Sequence, residues 1–92
     1  MIRSVLARVY GRVQGVGFRY SALNKAKALR LKGWIKNEAD GSVTARFEGP
    51  IADVEEYISW LKLGPSMSFV KEVFVSDQNV DSTLDPFHVL GG

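Results

Sequence analysis

The sequence predicts an α+β fold in which two helices lie on one face of an antiparallel sheet, and three observations predict it. Segments that alternate apolar and polar residues, the period of a half-buried strand, are interrupted by two segments carrying the 3.6-residue stripe of an amphipathic helix. Their order is β-α-β-β-α-β with a short C-terminal strand, a split βαβ unit rather than a strictly alternating one. The chain has only 92 residues, enough for one hydrophobic core, so these segments are expected to form a single domain over residues 1–92.

Strand one is read from Val5, Ala7, Val9, Gly11 and Val13, which alternate with Leu6, Arg8, Tyr10 and Arg12. Residues 14–17 break that alternation with Gly15 and Gly17 and form a tight loop. From about residue 20 to residue 31, Ala22, Leu23, Ala26 and Leu29 make one apolar stripe, with Lys25, Lys27 and Arg30 off it. Gly33 and Trp34 open a second strand that ends near Asn37. Ala39-Asp40-Gly41 reads as a hairpin turn, its Asp-Gly pair supplying positive φ angles. Val43, Ala45 and Phe47 then alternate with Thr44, Arg46 and Glu48 as strand three. Gly49-Pro50 starts the second helix, with proline in its first turn. Ile51, Val54, Ile58 and Leu61 mark its apolar stripe, and Asp53, Glu55 and Glu56 complement its N-terminus. Gly64-Pro65 stops it. Residues 69–75 make a fourth strand, 77–85 a polar connection, and 87–90 a short fifth strand. The order matches the ferredoxin-like arrangement, a two-layer α/β sandwich.

Composition removes several chemistries at once. The chain has no cysteine and a single histidine, His88, which excludes disulfides, cysteine nucleophiles, iron–sulfur clusters and His-rich metal sites. Its longest run without a charged residue is residues 63–70, far short of the roughly 20 residues that a membrane-spanning helix needs. Arg3 and Arg8 already lie within an alternating pattern, so no signal peptide is expected, and the location expected is cytoplasmic. Charge is segregated: residues 1–46 hold ten Lys and Arg against Glu38 and Asp40, whereas the remainder holds Lys62 and Lys71 against eight acids. Solvated helix faces account for this as well as an anion site in the first half does.

The predicted topology brings two distant residues together. Strand one runs up to the loop of residues 14–17, the helix descends from it, and strand two climbs again. Arg19 at the helix start and Asn37 at the end of strand two therefore share one rim. With strand three between strands one and two, the strand ends lie roughly 10 Å apart. Gly15 and Gly17 let successive amides converge, the helix dipole adds positive character, and such a nest suits a phosphate. Arg19 supplies a planar charged fork. On spacing alone, an ordinary strand-to-helix turn with a surface arginine remains the simpler account.

The residues themselves go further. Gly11-Arg12-Val13-Gln14-Gly15-Val16-Gly17-Phe18-Arg19 resembles the acylphosphatase signature G-x-V-Q-G-V-x-F-R. Gly33-Trp34-Ile35-Lys36-Asn37-Glu38-Ala39-Asp40-Gly41-Ser42-Val43 resembles that family's G-W-V-x-N-x-x-D-G-x-V block. Glu48-Gly49 and Trp60-Leu61-Lys62-Leu63-Gly64-Pro65 also fall where family members carry similar residues, so the resemblance spans nearly the whole chain. It implies hydrolysis of a small-molecule acyl phosphate to a carboxylate and inorganic phosphate, without metal or other cofactor. By the motif match it implies that the loop Gln14, Gly15, Val16, Gly17, Phe18 and Arg19 binds the phosphoryl group, the amides of residues 15–19 and the Arg19 side chain making the contacts, and that Asn37 orients the attacking water. The chain departs from the family at Ser68-Phe69-Val70, where Ala-Arg-Val is common. It departs again at its tail, Phe87-His88-Val89-Leu90-Gly91-Gly92, where many members end Phe-x-Ile-x-Tyr. Both departures bear on the last strand's packing rather than on the chemistry.

The remaining polar residues have plainer readings. His88 is expected on a sheet face and not as a base, Asp40 in turn chemistry and Glu38 facing solvent. Trp34 and Trp60 are expected to anchor the core, with a place near the rim as the alternative for Trp34. Two other functions compete with hydrolysis. One is a phosphate-binding relative that has lost turnover. The other is an RNA-binding ferredoxin-like module, which stacks bases on two or three exposed strand aromatics; the sequence offers only Tyr10 on such a face. No nucleic-acid partner, no membrane and a monomer are therefore expected.

Overall fold

The computed structural model describes residues 1–91; Gly92 lies outside the described residues. The elements are β1 (Ile2–Arg12), α1 (Phe18–Ala28), β2 (Lys32–Asn37), β3 (Val43–Pro50), α2 (Ile51–Leu63), β4 (Phe69–Gln78) and β5 (His88–Val89). The sheet order is β4-β1-β3-β2-β5, so β3 lies between β1 and β2 as the topology requires. β1 is antiparallel to β3, with Ala7 opposite Ala45, and β2 is antiparallel to β3, with Ile35 also opposite Ala45. β5 runs parallel to β2, with His88 opposite Trp34, which makes the five-stranded sheet mixed.

Strand alternation decides which side chains meet the helices. Val5, Ala7 and Val9 of β1, Ile35 of β2, and Val43, Ala45 and Phe47 of β3 are all fully buried. They pack against Phe18, Ala22 and Ala26 of α1 and Val54, Tyr57 and Leu61 of α2. Tyr57 is the hub of this core: its ring lies 4.8 Å from that of Phe47, 5.8 Å from Phe87 and 6.1 Å from Trp60. Its hydroxyl donates to the carbonyl of Ala22 at 2.9 Å, joining the two helices. Burial raises the phenol's pKa well above the ordinary range.

Several elements differ in detail from the sequence expectation. α1 begins at Phe18, two residues early, because Phe18 turns into the core beside Trp60. The apolar stripe of α2 runs through Tyr57; Ile51 is exposed and Ile58 only half-buried. Pro50 precedes that helix as its N-cap and is also the last residue of β3, opposite Ile2. In the hairpin after β2 only Gly41 has positive φ, so Asp40 does not share the left-handed conformation. β4 extends to Gln78, taking in residues read as connection, and Arg3 of β1 pairs with its Asp77 at 3.0 Å. Trp34 lies on the open face of the sheet, opposite Arg46 and alternating with buried Ile35, with Lys36 Nζ 5.5 Å above its ring. Trp60 is half-buried against Tyr57 and Phe18.

Candidate active site

Local backbone geometry builds the site at the end of β1. Gly15 and Gly17 adopt left-handed conformations, with φ of 73° and 76°, that cost a side-chain-bearing residue strain. A Cβ built on either would meet nothing within 4 Å, so the glycines leave the space beside the loop open. Gly17 is the N-cap of α1 and carries no capping side chain, and no acid stands in the first turn. The amides that begin α1 thus have no side-chain cap, and the dipole there favours an anion.

A cavity of about 180 Å³ opens at this point, lined by Val13, Gly15, Gly17, Phe18, Arg19, Tyr20 and Asn37. Val13 and Phe18 are buried and form its apolar wall. Arg19 comes from the first turn of α1 and Asn37 from the last position of β2. Eighteen positions apart in sequence, they line one cavity because β3 spaces β1 from β2 by one strand. Asn37 carries a buried side-chain oxygen, Oδ1, with no hydrogen-bond partner among the described residues. Buried polar atoms are almost always satisfied, so this oxygen is an acceptor in want of a donor.

Gln14 and Val16, the other loop residues of the signature, do not line the cavity. The Gln14 side chain instead clamps the loop to the β2–β3 hairpin. Its Nε2 donates to the carbonyl of Glu38 at 2.8 Å and to that of Ser42 at 2.9 Å. The hairpin is braced from within as well. The Ser42 hydroxyl donates to Asp40 at 2.5 Å and accepts from Arg8 Nε at 2.7 Å, while Arg8 also reaches Asp40 at 3.3 Å. The Ser42 hydroxyl and amide, with Arg8 behind them, hold the Asp40 carboxyl below its ordinary pKa. Asp40 therefore serves the turn. Glu38 does not simply face solvent: it accepts from the Thr44 hydroxyl at 2.5 Å, with Lys36 at 3.9 Å.

His88 stands on β5 with Nδ1 2.9 Å from the Pro86 carbonyl and does not line the cavity. Among the described residues no three histidine, aspartate or glutamate side chains converge as metal ligands would. No helix among them is long and apolar enough to cross a membrane. The open sheet face carries Phe74 as well as Tyr10, their rings 5.7 Å apart, and Arg8 over Tyr10 at 5.7 Å.

Sequence reasoning missed two features of this site. The Gln14 clamp left a faint signal, an amide side chain that could donate twice at the strand-to-loop junction. Tyr20 left a clearer one, a large aromatic off the helix's apolar stripe and next to Arg19.

Comparison with known proteins agrees with this fold. Residues 5–89 match the acylphosphatase family model. An acylphosphatase of Burkholderia thailandensis is 41% identical over 86 residues, covering 94% of this chain and 88% of that protein. The crystal structure of acylphosphatase from Bacillus subtilis superposes with a TM-score of 0.92 at 33% identity, covering 99% of this chain and 100% of that one. An acylphosphatase from Coxiella burnetii superposes with a TM-score of 0.90 at 34% identity, over 97% and 93% of the two chains. Matched over residues 5–89 by the family model, and along nearly its whole length by relatives and solved structures of that family, the chain belongs to the acylphosphatase family.

Proposed function

We propose that this protein hydrolyses acyl phosphates to a carboxylate and inorganic phosphate, without a metal or other cofactor, as a monomer. Family membership supports the reaction class. The observation that carries the assignment of roles is the unpartnered, buried Oδ1 of Asn37 in the cavity shared with Arg19 and the loop glycines.

In this reading the loop amides of residues 15–19 and the guanidinium of Arg19 hold the phosphoryl oxygens, through charge-assisted and partly bidentate contacts. A water donates one hydrogen to Asn37 Oδ1 and so presents its lone pair to phosphorus. The water oxygen bonds to phosphorus as the bond from phosphorus to the acyl oxygen breaks. The electron pair of that bond leaves on the carboxylate, and the water's proton passes to a phosphoryl oxygen. A carboxylate leaves without being protonated, so no general acid is needed. Positioning and charge stabilisation, which dominate phosphoryl transfer, remain as the protein's contribution.

The test is benzoyl phosphate hydrolysis by the purified protein, with and without EDTA, beside Arg19→Ala and Asn37→Ala. Turnover that EDTA leaves intact and both substitutions abolish is expected. For Asn37→Ala the expected loss is about 10²–10³ in kcat with a small change in KM, since it acts on water and not on phosphate. A dominant KM effect would move Asn37 to phosphate binding. Phosphate binding without hydrolysis would identify a relative that has lost turnover. A gel-filtration mass of a dimer would overturn the monomer.

A further inference from the structure

We infer that Tyr20 is a specificity-determining residue that selects acyl phosphates bearing an aromatic or extended apolar acyl group; this rests on the proposed assignment of the cavity to the phosphoryl group.

The cavity is closed on its inner side by Val13 and Phe18, each 1% exposed, with the Phe18 ring packed 5.7 Å from that of Trp60. Its volume of about 180 Å³ corresponds to roughly six waters at about 30 Å³ each. That is room for a phosphoryl group and its attacking water, with little left over for a large acyl group. A substrate anchored by its phosphate at the loop must therefore extend its acyl group outward past the rim. Among the lining residues, Tyr20 is the one large side chain exposed there, at 74%.

Of the three aromatics without a ring partner among the described residues, Tyr20, Trp34 and Phe69, only Tyr20 lines the cavity. Tyr10, Phe18, Phe47, Tyr57, Trp60, Phe74 and Phe87 each pack against another ring. Tyr20 has no ring contact among the described residues, although it directly follows Arg19 in the first turn of α1. An exposed aromatic next to the phosphate fork presents a face or an edge to whatever leaves the cavity. An acetyl group is too short to use it. A benzoyl ring can stack on it, and such a ring pair contributes about two- to tenfold in affinity.

The experiment compares benzoyl phosphate with acetyl phosphate in wild type, Tyr20→Ala and Tyr20→Phe, reading the ratio of the two kcat/KM values. Inhibition by, or binding of, benzoylphosphonate and acetylphosphonate is measured alongside, because these unhydrolysable analogues report selectivity even if turnover is absent. Tyr20→Ala is expected to lower the benzoyl-to-acetyl ratio about two- to tenfold in both assays, and Tyr20→Phe to restore it. Phe69→Ala, which removes an exposed ring on β4 that does not line the cavity, should leave the ratio at the wild-type value. A ratio unchanged in Tyr20→Ala, or a preference restored only by the hydroxyl, would overturn the inference. Wild-type protein that hydrolyses neither substrate while the phosphonate ratio still falls in Tyr20→Ala would overturn the hydrolytic reading and leave the selectivity standing.

Discussion

Arg19 differs from a lysine in the same place by the shape of what it offers an anion. The guanidinium presents two parallel N–H groups in a fixed plane, whereas an ammonium is a mobile point charge. The loop beside it is tied down in its turn, since Gln14 Nε2 donates to the carbonyls of Glu38 and Ser42. A site built from rigid donors loses register when one of them becomes flexible. Arg19→Lys keeps the charge and is nevertheless expected to lower kcat/KM for benzoyl phosphate about 10- to 10²-fold, the loss of one hydrogen bond to a charged group. Steady-state kinetics checks this. A lysine variant within twofold of wild type would mean that charge alone, without the fork, holds the phosphoryl group. The same scale explains why Asn37 is informative. An amide oxygen buried without a partner is costly in a finished fold, and the proposed water, donating to Asn37 Oδ1, would remove that cost.

At the scale of elements, the site depends on two pieces that share no hydrogen-bonded edge. The loop after β1 carries the glycines and leads into Arg19 in the first turn of α1, while Asn37 is the last residue of β2. β3 stands between the two strands. Gln14 bridges this gap by donating from one amide nitrogen to the carbonyls of Glu38 and Ser42. Those two residues close the hairpin, the Glu38 amide donating to the Ser42 carbonyl at 2.8 Å. If Asn37 orients water as proposed, Gln14→Ala is expected to lower kcat about tenfold or more while KM for benzoyl phosphate changes less, because an error of about 1 Å in placing such a group is costly. Gln14→Glu, which cannot donate, should not rescue the rate, whereas a variant acting only through general stability would keep kcat at temperatures well below its Tm. The clamp also marks where the sequence stops being legible. Alternation in residues 5–13 and 43–48 specifies two strands and their buried faces, and the Arg19–Asn37 meeting follows from topology. A side chain that bonds to backbone carbonyls more than twenty residues away has no local pattern. Trp34 fails for a related reason: strand alternation had to be counted from Ile35, and bulk alone suggested the core. Tyr57 was hidden because an α-helical stripe is wide enough to admit either of two neighbours, Tyr57 or Ile58, and packing against Phe47 and Phe87 chose the former.

For the molecule as a whole, Tyr57 is where the layers meet, joining α2 to β3, to the segment before β5, and through Ala22 to α1. Its hydroxyl is satisfied by one buried carbonyl, and Tyr57→Phe removes that bond without opening a large cavity. The expected cost near neutral pH is about 1 kcal/mol, or a fall in Tm of about 4–8 °C for a domain of this size. The same residue couples stability to alkali. Burial raises the folded phenol's pKa, while in the unfolded chain it ionises near its ordinary value of about 10. The folded state therefore keeps a proton that the unfolded state releases. This contribution is intact below about pH 10 and is lost progressively as the pH climbs towards the raised folded value, at about 1.4 kcal/mol per pH unit. Lysines and the other tyrosines titrate in the variant too, so the comparison isolates Tyr57. Urea unfolding at pH 7, 9, 10.5 and 11 should show wild type ahead by about 1 kcal/mol at the two lower values. The gap should close between about pH 10.5 and 11 and be reversed at pH 11. A gap constant across the series would mean that Tyr57 ionises in the folded protein as easily as in the unfolded chain, and that the contacts around its ring do not exclude water.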